Sequence, residues 1–251
     1  MGFLDRFLKT PNWGVHPEDH KRPAADVPLR LFPSPERVFM PLHQHVGGAA
    51  RPVVLVGQKV LKGQLIADAQ GNISAPIHAS VSGTISAVGD VTAPHPSGLP
   101  FKAITIDSDG ADRWIDTEPL ADPFSAAPEE IARRAAQAGV VGLGGATFPA
   151  AVKFALGKRL KVATLIVNGG ECEPYLSSDD RIMRDFPEMV IDGARLVMHA
   201  IGASEALVGI EDNKPEAIAA MRKAAAAYPE IKIRPVPAWY PMGSDKQLIH
   251  T

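Results

Sequence analysis

Cysteine is nearly absent: Cys172 is the only one in 251 residues. A lone thiol excludes an internal disulfide framework and fits a reducing compartment. It also cannot ligate an iron–sulfur cluster by itself. No stretch approaches the ~20 consecutive apolar residues of a membrane-crossing helix, and no secretory signal is visible. Neither sign of charge dominates, with 26 Lys and Arg against 28 Asp and Glu for a net charge of −2. A nucleic-acid-binding face is therefore not expected. The opening Met1–Lys9 carries Phe3, Leu4, Phe7 and Leu8 in an amphipathic arrangement. Two readings stay open for it: contact with a partner or membrane surface, and a frayed tail.

The length allows one or two domains with a real core, and two textures divide it. From about Pro28 to Asp107 the chain is rich in Val, Gly and Pro, with short alternating runs and no convincing helix. Pro52–Val60, Gly63–Asp68 and Ile77–Gly89 read as strands separated by glycine turns. From about Phe124 onward helices and strands alternate. Pro128, Glu129 and Glu130 suit a helix start and Gly139 its stop. Ala163–Asn168, Ala206–Ile210 and Ile231–Val236 read as strands, and Pro187–Ile201 and Pro215–Tyr228 as helices. Another helical pattern begins near the end of Tyr240–Gln247. Such alternation predicts a mostly parallel sheet built by right-handed crossovers. The boundary falls in the polar, turn-rich Asp107–Asp122 region. The expected division is an N-terminal extension over 1–27, an all-β domain over 28–118, and an α/β domain over 119–251.

The densest chemistry lies in Val141-Gly-Leu-Gly-Gly-Ala-Thr-Phe-Pro149 and in Asn168-Gly-Gly-Glu-Cys-Glu-Pro174. The first reads as a turn with almost no side chains opening into a helix. Gly142, Gly144 and Gly145 permit positive φ and let a ligand lie on bare backbone. Pro149 suits a first helical turn. Free amides from Gly142 to Ala146 and the helix dipole attract an anion, typically a phosphate. Lys153 falls in the second turn, and helical side chains lean back toward the N-terminus, within reach of that anion. The second motif follows a predicted parallel strand, at the carboxyl end where ligands of open α/β sheets sit. Asn168 there can donate to and accept from a planar heterocycle. Glu171 and Glu173 can hold a ribose hydroxyl or the amide of a nicotinamide; a solvated loop is the plain alternative. Together the two motifs point to a nucleotide-type site.

Other polar residues carry less. Glu211, Asp212, Asn213 and Lys214 follow another strand end, and either complete the pocket or supply a helix cap through Asn213 before Pro215. Histidines 16, 20, 43 and 45 suggest metal ligation, but Pro17 breaks the i,i+4 logic of His16 and His20, and no metal is expected. Cys172 is read as a packed small residue beside the ligand rather than a redox thiol.

These residues resemble a known family. Gly142–Phe154 and Asn168–Arg184 are similar to the flavin- and NADH-binding subunit family of respiratory complex I. The closer resemblance is to the RnfC family of the Rnf (Rsx) ion-translocating electron-transport complex, from about Gly14 to the end. It includes Ile210-Glu-Asp-Asn-Lys-Pro215 and Tyr240-Pro-Met-Gly-Ser-Asp-Lys-Gln247. The resemblance implies an α/β FMN-binding domain with a mostly parallel sheet, preceded by a barrel-sandwich hybrid domain. That sandwich looks like lipoyl and biotinyl carriers, whose hairpin tip presents a modifiable Lys. Here the tip is Ala69-Gln-Gly-Asn72, so an unmodified, structural sandwich is expected.

By position, the resemblance assigns the FMN phosphate to the glycine turn and Lys153. It places Asn168 and the loop Glu171–Pro174 around the isoalloxazine and the incoming nicotinamide of NADH, with Tyr240 and Gly243 in a segment closing over the flavin. Leu143, Thr147, Gly170 and Ser244-Asp245 depart from the complex I pattern, which weakens the NADH assignments more than the FMN ones. No residue is singled out as catalytic. Members of the RnfC family continue into ferredoxin-like Cys-x-x-Cys-x-x-Cys-x-x-x-Cys-Pro motifs that this sequence does not contain. It is expected to be the first part of a longer protein whose later part holds 4Fe–4S clusters. The implied partners are the other members of the complex and a ferredoxin-type acceptor, at the cytoplasmic face of a bacterial inner membrane. Two alternatives are a flavin-dependent corrinoid reductase and a non-catalytic scaffold like the related scaffold protein of the sodium-pumping NADH:quinone reductase. The domain before the glycine turn disfavours the first, and the intact turn with Lys153 the second.

Overall fold

The structure, a computed structural model, describes residues 14–157 and 160–251. Met1–Lys9 lies outside the described residues, and its two readings with it. The elements begin with α1 (Arg22–Ala25), β1 (Arg37–Pro41), β2 (Arg51–Pro52), β3 (Lys59–Val60), β4 (Leu65–Asp68), β5 (Ile77–His78), β6 (Gly83–Thr92) and β7 (Pro100–Ser108). Then follow α2 (Pro128–Gln137), α3 (Ala150–Leu156), β8 (Thr164–Gly169), α4 (Ser178–Asp185) and α5 (Pro187–Ile201). The chain finishes with β9 (Glu205–Glu211), α6 (Pro215–Ala224), β10 (Ile231–Val236) and α7 (Asp245–His250). They form two compact units, one from 31–157 and one from 14–30 together with 160–251.

The 31–157 unit is built on two antiparallel sheets, in the orders β1-β7-β6-β3 and β2-β4-β5. The predicted run Ile77–Gly89 is divided between them: β5 pairs with β4, and β6 with β3 and β7. Ala103 to Ile106 of β7 are buried consecutively, so both faces of that strand are covered. Ile66, Ile85, Ile104 and Ile106 are fully enclosed at the centre of this core. The helix α2 starts at Pro128 with two acids in its first turn, as its sequence predicts. It ends at Gly139, whose φ is +67°. A Cβ there would sit 2.5 Å from the Pro76 carbonyl oxygen. This backbone approach ties the end of α2 to the β region, which is why the compact unit runs beyond the expected boundary at 118.

The other unit has a three-stranded sheet, β10-β9-β8, with both pairings parallel. β9 lies at its centre. Val208 and Ile210 enter one core with Ile191 and Met198 of α5 and Ile218 and Met221 of α6. Gly209 between them points to the opposite face, where Leu248 of α7 packs against it. Helices therefore cover both faces of a parallel sheet, the arrangement its burial requires. α5 runs over the predicted Pro187–Ile201 and stops at Gly202 in the left-handed region. α6 is shorter than predicted, ending at Ala224 before a 3₁₀ turn over Ala225–Ala227. Residues 14–27, expected to be part of an extension, and 28–30, expected in the all-β domain, belong to this unit; Val15 exchanges two backbone hydrogen bonds with Tyr240, at 3.0 and 2.9 Å.

Truncating Ile104 to Ala should cost about 2–5 kcal/mol, the usual cost of emptying an enclosed aliphatic site. Hydrogen exchange under increasing urea would report it, with amides of β6 and β7 exposed at lower urea and those of β9 unchanged.

Candidate functional site

The glycine turn is a closed loop at the start of α3. Its base is the antiparallel bridge of Val141 with Pro149. The Gly142 amide donates to the Phe148 carbonyl and the Ala150 amide to the Val140 carbonyl, both at 2.9 Å. Pro149 is the N-cap residue rather than part of the first turn: its backbone is extended at ψ 121°, and its carbonyl accepts the Val152 amide at 3.2 Å. Only Gly145 uses positive φ, at +111°, together with Thr147 at +47°. Gly142 and Gly144 do not use the positive φ that glycine permits there. Nor does packing demand glycine there: a Cβ on Gly144 would meet nothing within 4 Å, and one on Gly142 only the Phe148 carbonyl at 3.8 Å. Gly142 to Ala146 are exposed, including Leu143 at 88%. Lys153 leans back as helical geometry dictates, its ammonium 5.8 Å from the Phe148 ring centroid. Among the described residues no carboxylate is paired with it.

Three loops leave the carboxyl edge of the parallel sheet: after β8, after β9 and after β10. Asn168 is the next-to-last residue of β8, exposed, and its amide joins the first loop to the third. Its Nδ2 donates to the Gly243 carbonyl at 2.8 Å, and its Oδ1 accepts the Gly170 amide at 3.0 Å. Gly170 and Gly243 approach so closely that a Cβ on Gly243 would lie 2.5 Å from the Gly170 carbonyl oxygen and 3.2 Å from Cys172 Sγ. The Gly243 amide donates to that sulfur at 3.3 Å. Cys172 is half-buried, and burial pushes its thiol above the ordinary range, so it is held as a thiol. Glu173 and Tyr240 are exposed.

Glu171 is not a solvated loop acid. It is 3% exposed, and its Oε1 accepts the Asp179 amide at 2.8 Å and the Ser178 hydroxyl at 3.3 Å. It therefore caps α4 from seven residues upstream, in place of the Ser177 side chain, which makes no cap bond. This satisfies amides that a helix start otherwise leaves open. Two buried lysines converge on its backbone carbonyl, Lys21 at 2.6 Å and Lys214 at 3.4 Å. Lys214 also donates to Glu211 Oε2 at 2.5 Å. Burial holds the Glu211 carboxyl above the usual carboxylate range, with Lys214 pulling the other way. Among the described residues, Glu171 Oε2 and Glu211 Oε1 have no hydrogen-bond partner. A cavity of about 290 Å³ lies beside this cluster, lined among others by Lys21, Glu171, Glu211, Asn213, Trp239 and Tyr240.

The sequence-named residues thus fall into two groups. Gly142, Gly144, Gly145, Ala146 and Lys153 belong to the 31–157 unit, and Asn168, Glu171, Glu173, Tyr240 and Gly243 to the other. Asn213 does not cap α6: Lys214 holds the N-cap position without a side-chain cap bond, and Asn213 Oδ1 instead accepts from the Lys214 ammonium at 3.1 Å. His16 packs on Trp239 with ring centroids 4.2 Å apart, His20 stacks on Tyr175 at 5.0 Å, and His43 meets His45 edge-on at 6.0 Å. Among the described residues no cluster of His, Cys, Asp or Glu could hold a metal ion. No described helix is long and apolar enough to cross a membrane. Sequence reasoning missed Lys21, and no local pattern marks it, because its partners lie 150 and 155 residues away.

Two family models match the chain: the RnfC barrel sandwich hybrid domain over residues 9–111 and the Nuo51 FMN-binding domain over 135–251. The C subunit of an ion-translocating oxidoreductase complex from Rhodobacter capsulatus is 50% identical over 238 residues, covering 94% of this chain and 46% of the relative. Its counterpart from Serratia proteamaculans is 44% identical over 252 residues, covering 99% and 36%. The chain thus spans less than half the length of these relatives. A solved NAD⁺-reducing nickel–iron hydrogenase in the H₂-reduced state is 28% identical, with a TM-score of 0.44, over 55% of this chain and 27% of its own.

Gly243→Ala must push the third loop off Gly170, since backbone cannot yield as a side chain can. The expected loss is about 1–3 kcal/mol, typical of overpacking. It would be read as a fall in thermal midpoint together with faster alkylation of Cys172, which loses its cover. An unchanged midpoint and unchanged thiol reactivity would contradict the close approach.

Proposed function

The chain belongs to the RnfC family, matching the N-terminal part of its members from ion-translocating oxidoreductase complexes, and from that premise we propose that it is the flavin module through which such a complex oxidises NADH. The observation that carries the reading is the glycine turn. Neither backbone conformation nor packing within the chain calls for glycine at 142 and 144. Bare backbone is what a bulky phosphate ester needs in order to approach amides. Among the described residues no protein acceptor takes the amides of Leu143 to Ala146 and no carboxylate pairs with the Lys153 ammonium. The donor set therefore fits an anion carried by a large group, and FMN is that group in this reading.

The amides of Gly142–Ala146 and the Lys153 ammonium hold the phosphate, without covalent attachment. Asn168 sets the spacing of the loops after β8 and β10 by bonding to both. Glu171 acts from below, fixing the loop and the start of α4, while Glu173 stands free in solvent to meet the nicotinamide half of NADH. Tyr240 and Gly243 form the segment that closes over the ring. FMN, when bound, supplies the acceptor for a hydride; the protein supplies binding, orientation and exclusion of water. Electrons then leave through iron–sulfur clusters held elsewhere in the whole protein toward a ferredoxin-type acceptor, coupled to ion movement. The chain works at the cytoplasmic face of a bacterial inner membrane, peripheral to it and bound to the other members of the complex.

Adding FMN to the purified chain and separating free flavin by gel filtration tests the reading. Co-elution of flavin absorbance with protein is expected; elution of all flavin in the salt volume would overturn it. Lys153→Ala should weaken FMN binding by about 1–3 kcal/mol, the size of a lost charged hydrogen bond. Titration calorimetry would measure this, and an unchanged affinity would remove Lys153 from the phosphate site. Glu173→Gln keeps shape and loses charge. It should leave FMN affinity intact and slow flavin reduction by NADH about tenfold, equivalent to ~1.4 kcal/mol of barrier. Stopped-flow bleaching across NADH concentrations would show it, and parental rates would return Glu173 to an ordinary surface acid.

A further inference from the structure

Residues 14–26 lie outside the sheet and its covering helices, yet they are bonded to two of the loops at the sheet's carboxyl edge. Val15 pairs with Tyr240 through two backbone hydrogen bonds. The Asp19 carbonyl accepts the Tyr175 amide at 2.8 Å, and the His20 ring stacks on the Tyr175 ring. Arg184 of α4 donates to the Ala25 carbonyl at 3.2 Å. In the middle of this strap Lys21 turns inward, with 10% of its side chain exposed. Its ammonium donates to the carbonyls of Glu171 and Leu176, both at 2.6 Å, and lies 3.8 Å from Glu171 Oε2.

We propose that Lys21 is a positioning residue for hydride transfer from NADH, acting through Glu173 by clamping both ends of the loop 171–176 with one ammonium. This rests on the flavin reading above. The geometry suits a lysine specifically. A compact ammonium offers several donors on a flexible stem, and it bonds two carbonyls while its charge faces the Glu171 carboxylate at 3.8 Å. The two carbonyls belong to residues five positions apart, and between them Glu173 is the exposed acid. Without the clamp, the segment carrying Glu173 keeps the Lys214 bond at its first residue, at the longer distance of 3.4 Å, and the bond of the Tyr175 amide to Asp19, while the Leu176 carbonyl loses its ammonium partner. Lys21 itself touches neither flavin nor nicotinamide in this account. Its effect on the chemistry passes through the loop.

The test is a double-mutant cycle on the full chain loaded with FMN, using Lys21→Met, Glu173→Gln and the double variant. Lys21→Met should leave FMN affinity within about twofold and lower the limiting rate of flavin reduction by NADH about tenfold. In the Glu173→Gln background it should have little further effect, because the residue it positions no longer carries its charge. Multiplicative losses in the double variant, or a fall in FMN affinity parallel to a fall in thermal midpoint, would overturn the proposal in favour of a general stabilising role. If Lys21→Met does not fold, the cycle is run with Lys21→Arg, which keeps the charge but carries it on a larger planar head. A second arm needs no flavin: hydrogen exchange of amides 172–178 in the FMN-free chain should accelerate in the variant while β9 amides do not. Unchanged exchange there would remove the clamp whatever the flavin does. Failure of the parent chain to be reduced by NADH would instead overturn the flavin reading and the positioning role with it, leaving the exchange result to judge the clamp alone.

Discussion

The carboxyl edge of the parallel sheet depends on a buried cluster of charge. Lys21 and Lys214 are 8% and 4% exposed, Glu171 and Glu211 3% and 1%. Taking such groups out of water costs several kcal/mol per ion unless each is paired and hydrogen-bonded. Here the two ammonium groups share the Glu171 carbonyl, and Lys214 reaches the Glu211 carboxylate directly. Two carboxylate oxygens still lack a hydrogen-bond partner among the described residues. A cluster of this kind is weak evidence for stability as such. Its structural result is geometric: it brings residue 21, the loop after β8 and the end of β9 to one place, although they are far apart in sequence.

From that cluster the other features of the edge follow. With its backbone held by lysines, Glu171 has its side chain free to cap α4, and α4 continues into α5, which covers the sheet. The third loop is held by different means: Asn168 bonds to the Gly243 carbonyl, and the Gly170–Gly243 approach leaves no room for a side chain on Gly243 and little on Gly170. Charge organises one side of the edge and backbone proximity the other. Only then does Glu173 stand out as an acid with no structural duty in the described contacts. An acid that the fold does not use, beside one that it does, is the division of roles expected of a site that must both hold its shape and meet a ligand.

The glycine turn shows the opposite relation between sequence and fold. At Gly139 and Gly243 the protein's own backbone explains the missing side chain. At Gly142 and Gly144 it does not, and the space around them is open.

Much of this was legible in the sequence. Periodicity marked the parallel strands, with Ile231–Val236 and Pro187–Ile201 reproduced to the residue, because a buried strand or an amphipathic helix writes its burial into consecutive positions. Glycine at 139 and 202 marked helix ends, since a left-handed residue is needed there whatever surrounds it. The two motifs of the candidate site, and their order around a predicted strand, were visible for the same reason: each is a contiguous run. What tertiary structure alone decided are relations between distant residues. The burial of Glu171, the role of Lys21, the joining of residues 14–30 to the α/β unit and the docking of α2 at Pro76 all depend on hydrogen bonds or close approaches between residues far apart in the chain. A lysine that binds a carbonyl 150 residues away looks, in sequence, like any solvated lysine. Local propensity cannot encode a partner that only the folded chain brings near.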